Sequence, residues 1–214
     1  MKVVIPLFDR FTALDAIGPY EVLTKVPGAE VTFVAAEAGP VTTDTGVLTV
    51  QVGTALADVT EADVLVVPGG PGTRTMMGDR QLVDWVRAID ATTTWTTSVC
   101  TGSLVLGAAG LLDDTDATTH WACVDLLEST GASYTAERVV VRDKVITAAG
   151  VSSGIDMALT LAGFLAGHEV AQAIQLGIEY DPQPPYDSGA VHKADPDIVE
   201  LVRTMATDPE PAAS

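Results

Sequence analysis

The pattern of this chain predicts an α/β fold: three layers, with a largely parallel sheet between two layers of helices. Three observations carry that prediction. Apolar runs that are continuous rather than alternating recur at Val3–Leu7, Val31–Ala35, Val64–Val67 and Val145–Ala148, as in strands buried on both faces. Segments with helical spacing separate them. Over 214 residues, 47% are apolar and only 19% charged, which is enough apolar surface to cover both faces of a sheet.

Taken in order, Val3–Leu7 is the first strand. Leu14–Leu23 is a helix with Thr12 or Asp15 near its start and Pro19 expected inside its first turn. Val31–Ala35 is a strand, and Val41–Val52 reads as a hairpin turning at Asp44-Thr45-Gly46. Val64–Val67 ends in Pro68-Gly69-Gly70-Pro71-Gly72. In Leu82–Ile89, Leu82, Trp85, Val86 and Ile89 share one helical face. Trp95–Val99 is a strand that runs into a helical stretch from Thr101 to Ala109. Trp121–Leu127 is expected helical, Tyr134–Val141 and Val145–Ala148 as paired strands, and Ser153–Leu165 and Glu169–Ile178 as two more helices. One domain over residues 1–206 and a disordered tail over 207–214 are expected.

Composition narrows the function. A formal net charge of −18 argues against nucleic acid and against an anionic membrane surface. The opening run is interrupted too soon for a signal peptide, and no stretch has the length of a transmembrane helix. Two cysteines, Cys100 and Cys123, make no disulfide framework, so a reducing cytoplasm is expected. The histidines, His120, His168 and His192, are scattered and give no metal-ligand spacing.

The most informative residue is Cys100, at the join of strand and helix in Ser98-Val99-Cys100-Thr101-Gly102. A helix N-terminus favours the thiolate, and the same strand–turn–helix logic presents the nucleophile of G-x-S-x-G hydrolases. The alternative is a buried cysteine that acts as a small hydrophobe. In parallel sheets, ligands bind beyond the carboxyl ends of strands, and Asp15, Gly69-Gly70 and Cys100 all fall at such ends. The Gly69 and Gly70 amides and the Thr101 amide are candidate oxyanion donors, or the glycines form only a tight turn. Asp15 has apolar neighbours, Leu14 and Ile17, so burial would raise its pKa. Glu21 is the competing acid. His120 is a possible partner for Cys100, a helix cap, or a packed ring.

These residues together resemble the ThiJ/PfpI superfamily, with a flavodoxin-like sandwich similar to class I glutamine amidotransferases. The resemblance spans residues 1–190 and rests on Pro68-Gly69-Gly70, the Ser-Val-Cys-Thr-Gly elbow, Thr118-Thr119-His120-Trp121 and Gly150-Val151-Ser152-Ser153-Gly154-Ile155-Asp156. Protease-like and glyoxalase-like branches usually carry Cys-His or Cys-Ala at the elbow and an early Glu. Here Thr101 follows Cys100 and Asp15 holds the early acidic position, which resembles the isonitrile hydratase branch, as does Glu179-Tyr180-Asp181-Pro182-Gln183-Pro184-Pro185. The ligand-binding domains of some AraC-type regulators share the marks, but no DNA-binding second domain is expected here. The resemblance implies Cys100 as nucleophile, Asp15 as proton carrier, Thr101 contributing its hydroxyl and amide, a small-molecule substrate, a homodimer, and no metal or organic cofactor. A glyoxalase- or deglycase-like enzyme acting on 2-oxoaldehydes, or a cysteine redox sensor without turnover, are the competing readings.

Overall fold

The fold was analysed in a computed structural model, which describes residues 1–207. The expected tail beyond Thr207 lies outside the described residues. The described chain forms two units, residues 1–179 and residues from 180 onward.

In the first unit the continuous apolar runs become the middle of a sheet. Strand β1 (Lys2–Pro6) leads into helix α1 (Ala13–Leu23) and strand β2 (Glu30–Ala35). A hairpin of β3 (Gly39–Thr42) and β4 (Thr49–Val52) follows, then the short β5 (Thr54–Ala55) and β6 (Val64–Val67). Helices α2 (Thr73–Met76) and α3 (Arg80–Asp90) lead to β7 (Trp95–Val99) and α4 (Gly102–Ala108). Beyond them lie β8 (Asp116–Ala117), α5 (Val124–Glu128), β9 (Ser133–Tyr134), β10 (Val139–Arg142), β11 (Val145–Ala148), α6 (Ser153–Ala166) and α7 (His168–Gly177).

The main sheet has seven strands in the order β10-β11-β7-β6-β1-β2-β5. All its pairings are parallel except β10 with β11. Every residue of β6 is buried, so both faces of the sheet are covered, as the apolar runs predict. Helix α1 packs with α6, and α6 with α7; α4 packs with α2, α3 and α5. Asp79 caps α3 by accepting a hydrogen bond from the Leu82 amide at 3.1 Å, and the apolar face of α3 buries Leu82, Val83, Val86 and Ile89.

Three details differ from expectation. Pro19 lies beyond the first turn of α1, where its ring packs against the Cβ position of Gly154 at 3.3 Å. That contact with α6 is made possible because Gly154 has no side chain. The stretch expected as one strand over Tyr134–Val141 is split into β9 and β10, and β9 pairs with β8 away from the main sheet. Trp121–Cys123 is a 3-10 turn before α5 rather than a continuous helix. The second unit holds α8 (Pro196–Thr207), for which no expectation was made, although Ile198, Leu201, Val202 and Met205 recur at helical spacing.

Candidate active site

Neighbouring strands deliver the candidate residues to one place. The order β11-β7-β6-β1 sets side by side the carboxyl ends from which Val151, Cys100, Gly69-Gly70 and Asp15 follow. Strand register sharpens this: Val99 pairs with Ala148, and Val67 with Ser98.

Cys100 turns the chain from β7 into α4 with φ of 56°, a left-handed conformation that is uncommon for a residue with a side chain. Its amide holds the turn by donating to the carbonyls of Ala148 at 3.0 Å and Ala149 at 2.9 Å. Its own carbonyl accepts from the Ser103 and Thr119 hydroxyls, each at 3.1 Å. The turn needs Gly102: a Cβ there would fall on the Val67 carbonyl oxygen. Ser98, two residues before Cys100, is fully buried.

Asp15 is fully buried as well. Its Oδ2 accepts from the Gly69 amide at 3.0 Å, and Oδ1 has no protein hydrogen-bond partner. Burial pushes its carboxyl up to about 7, against the downward pull of the Gly69 amide and the Cys100 side chain. Cys100 is pushed up as well, to about 12, because burial and the neighbouring Asp15 charge oppose the thiolate. The Val151 and Thr101 amides face the sulfur and pull the other way. The helix start therefore offsets only part of the rise, and the expectation that it favours the thiolate is outweighed by burial and the Asp15 charge: two buried acids share the site.

Gly69 and Gly70 are at the site, but their amides point at side chains. Gly69 donates to Asp15, and Gly70 donates to the Thr101 hydroxyl at 2.9 Å. That hydroxyl in turn donates to the Gly70 carbonyl at 3.2 Å, so Thr101 and Gly70 hold each other. A Cβ on Gly69 would come within 2.6 Å of the Thr101 nitrogen and 2.7 Å of Asp15 Oδ2. Glu21, the competing acid, is exposed and paired with Lys25. His120 caps the turn that follows it, its Nδ1 accepting from the Ala122 amide at 3.2 Å. Its ring stacks on Trp121 and packs against Gly150. Burial and the Arg74 charge lower its pKa.

Sequence reasoning assigned no role to Thr119 or Val151. Both lie in runs singled out as motifs, but a backbone amide aimed at sulfur leaves no mark on residue type. Among the described residues, no group of three or more His, Cys, Asp and Glu side chains could hold a metal ion. A cleft of about 250 Å³ opens between Phe8, Ala36, Val41 and Leu82 and does not include Cys100 or Asp15.

Known proteins resemble this chain in sequence and fold. An isonitrile hydratase of Pseudomonas putida is 46% identical over 200 residues, covering 94% of this chain and 87% of that one. The crystal structure of a ThiJ/PfpI family protein from Pseudomonas syringae superposes with a TM-score of 0.91 at 34% identity, covering 96% of this chain and 86% of its own. The HTH-type transcriptional regulator CdhR of Pseudomonas aeruginosa is 30% identical over 172 residues, 78% of this chain but 50% of the regulator. The DJ-1/PfpI family matches residues 1–163. Because that match runs from β1 through the elbow into α6, the chain belongs to the DJ-1/PfpI family.

Proposed function

We propose that this protein hydrates isonitriles to N-substituted formamides, with Cys100 as nucleophile and Asp15 as the proton carrier. The observation that carries the reading is the buried Asp15–Cys100 pair, a carboxyl near 7 interacting with a thiol. The 46% identity to an isonitrile hydratase over 94% of the chain supports it.

The terminal carbon of R–N≡C accepts a nucleophile and a proton. Cys100 sulfur bonds to that carbon while the thiol proton passes to the Asp15 carboxylate and from there to the carbon, giving the thioimidate R–N=CH–S–Cys100. Water then bonds to the same carbon. Asp15 takes one of its protons and returns it to nitrogen, leaving R–NH–CH(OH)–S–Cys100. Collapse breaks the carbon–sulfur bond, the hydroxyl proton returns through Asp15 to sulfur, and R–NH–CHO departs. One acid–base group serves each step, and its pKa near neutrality suits both directions of transfer. The Val151 and Thr101 amides stabilise the sulfur while it carries charge. Gly69 and Gly70 contribute by holding Asp15 and Thr101 in place. A homodimer and a reducing cytoplasm, implied by the resemblance and the cysteine usage, complete the reading; both cysteines are free. Sedimentation of the purified protein tests the dimer.

The decisive experiment is formamide production from an aryl isonitrile, with Cys100→Ala as control. Turnover by the wild type and none by a folded Cys100→Ala is expected. Turnover that survives in the variant excludes the covalent route. The likeness to a transcriptional regulator favours one second reading, ligand sensing: saturable isonitrile binding without formamide would support it instead.

A further inference from the structure

Arg74 stands out in a chain with 29 acidic and 11 basic residues. Most other basic side chains have a carboxylate partner, as in Lys2–Glu61, Arg87–Asp84, Arg142–Asp116 and Lys144–Asp90. Arg74 has none among the described residues. Its hydrogen-bond partner is instead a sulfur: Nη2 lies 3.7 Å from Cys123 Sγ. A guanidinium without a carboxylate partner on so acidic a protein can take up an anion from solution.

Contacts on two sides link Arg74 to the elbow that carries Cys100. Arg74 follows Thr73, whose hydroxyl donates to the Gly70 carbonyl at 2.7 Å. The Thr101 hydroxyl donates to the same oxygen at 3.2 Å, so α2 and the elbow are tied through one atom. On the other side, the charge of Arg74 reaches His120, whose ring packs on Gly150 beside the Val151 amide. Cys123, under the guanidinium, lies within Coulombic reach of Cys100. Arg74 itself is exposed, free to meet a group that enters from solvent.

We propose that Arg74 forms an anion subsite beside Cys100, so that the preferred substrates are isonitriles carrying a carboxylate on their substituent. This rests on the hydration reading for the word substrate, though not for the subsite. A carboxylate seated on Arg74 replaces water on a guanidinium with a charge-assisted, bidentate pair. Because the surrounding net charge of −18 is screened beyond about 10 Å at 0.1 M salt, the local cation decides the preference.

The test compares 4-isocyanobenzoate with its methyl ester. In the wild type kcat/KM favours the acid, and Arg74→Met lowers the acid-to-ester ratio about tenfold or more, mainly through KM. Arg74→Lys recovers part of the ratio. A second measurement needs no turnover: alkylation of Cys100, followed by peptide mapping, with iodoacetate against iodoacetamide. Arg74→Met is expected to lower the iodoacetate-to-iodoacetamide rate ratio by a similar factor. Both ratios unmoved by Arg74→Met overturn the subsite. Formamide from neither isonitrile, with an Arg74-dependent alkylation ratio, removes the hydration reading and leaves the subsite standing.

Discussion

Asp15 is a carboxyl with no exposure to water, and one of its oxygens has no protein partner. Burial raises its pKa from 3.8 to about 7, and two predictions follow from the sign. For activity, the carboxylate is the form that accepts the thiol proton in the proposed mechanism. Thus kcat/KM should fall as pH drops through about 7, and Asp15→Asn should lose most turnover together with that acidic limb. A variant with near-normal turnover removes Asp15 from the mechanism. For stability, the folded chain keeps a proton between pH 3.8 and about 7 that the unfolded chain has released. Stability therefore falls as pH rises through that window. Asp15→Asn keeps an acceptor for the Gly69 amide and removes the buried charge. Its Tm relative to wild type should rise from about pH 4 to about pH 8, and a flat difference would show that Asp15 does not titrate in the fold. Active sites often hold such a cost, which the mutant relieves at the expense of function.

At the scale of elements, the elbow depends on close approach of α4 to β6. Gly102→Ala would drive a methyl into the Val67 carbonyl. Backbone cannot yield there without moving the strand, so a loss of about 2 kcal/mol or more is expected in urea unfolding. Thr101→Val is a milder probe of the same join. It leaves the buried Gly70 amide without its acceptor and should cost about 1–3 kcal/mol. Thr101→Ser, which keeps the hydroxyl, should restore most of it. Equal stability of the Val and Ser variants would show that the Thr101–Gly70 pair holds nothing. Strands β1, β2, β6 and β11 were all legible from their apolar runs. The pairing of β9 with β8 was not, because two-residue strands carry no periodicity.

At the scale of the whole molecule, charge is the dominant feature. The surface ion pairs are half-exposed, and such pairs contribute little. The repulsion summed over a net −18 is long-ranged and opposes compaction. Screening weakens it as the Debye length shrinks from about 30 Å at 0.01 M salt to about 3 Å at 1 M. The urea midpoint should therefore rise with sodium chloride over that range. A midpoint that falls would mean that the ion pairs outweigh the repulsion. Among the described residues, no helix is long and apolar enough to cross a membrane.

The sequence by itself determined the layer order and the neighbourhood of the site. Continuous apolar runs mean strands covered on both faces, and motifs at their carboxyl ends must meet in a parallel sheet. Cys100, Asp15, Thr101, Gly69 and Gly70 were named from that logic, and all five lie together. Only the tertiary structure decided what each touches there. Proton affinity depends on desolvation and on neighbours brought from distant parts of the chain, so the direction of the Cys100 shift was not readable from its place before a helix. Which way the Gly69 and Gly70 amides point depends on Asp15 and Thr101 arriving to take them. The Val151 amide and Arg74, which has no carboxylate partner among the described residues, became visible only once β11 and α2 were set beside the elbow, because a contact between elements leaves no periodic trace in either.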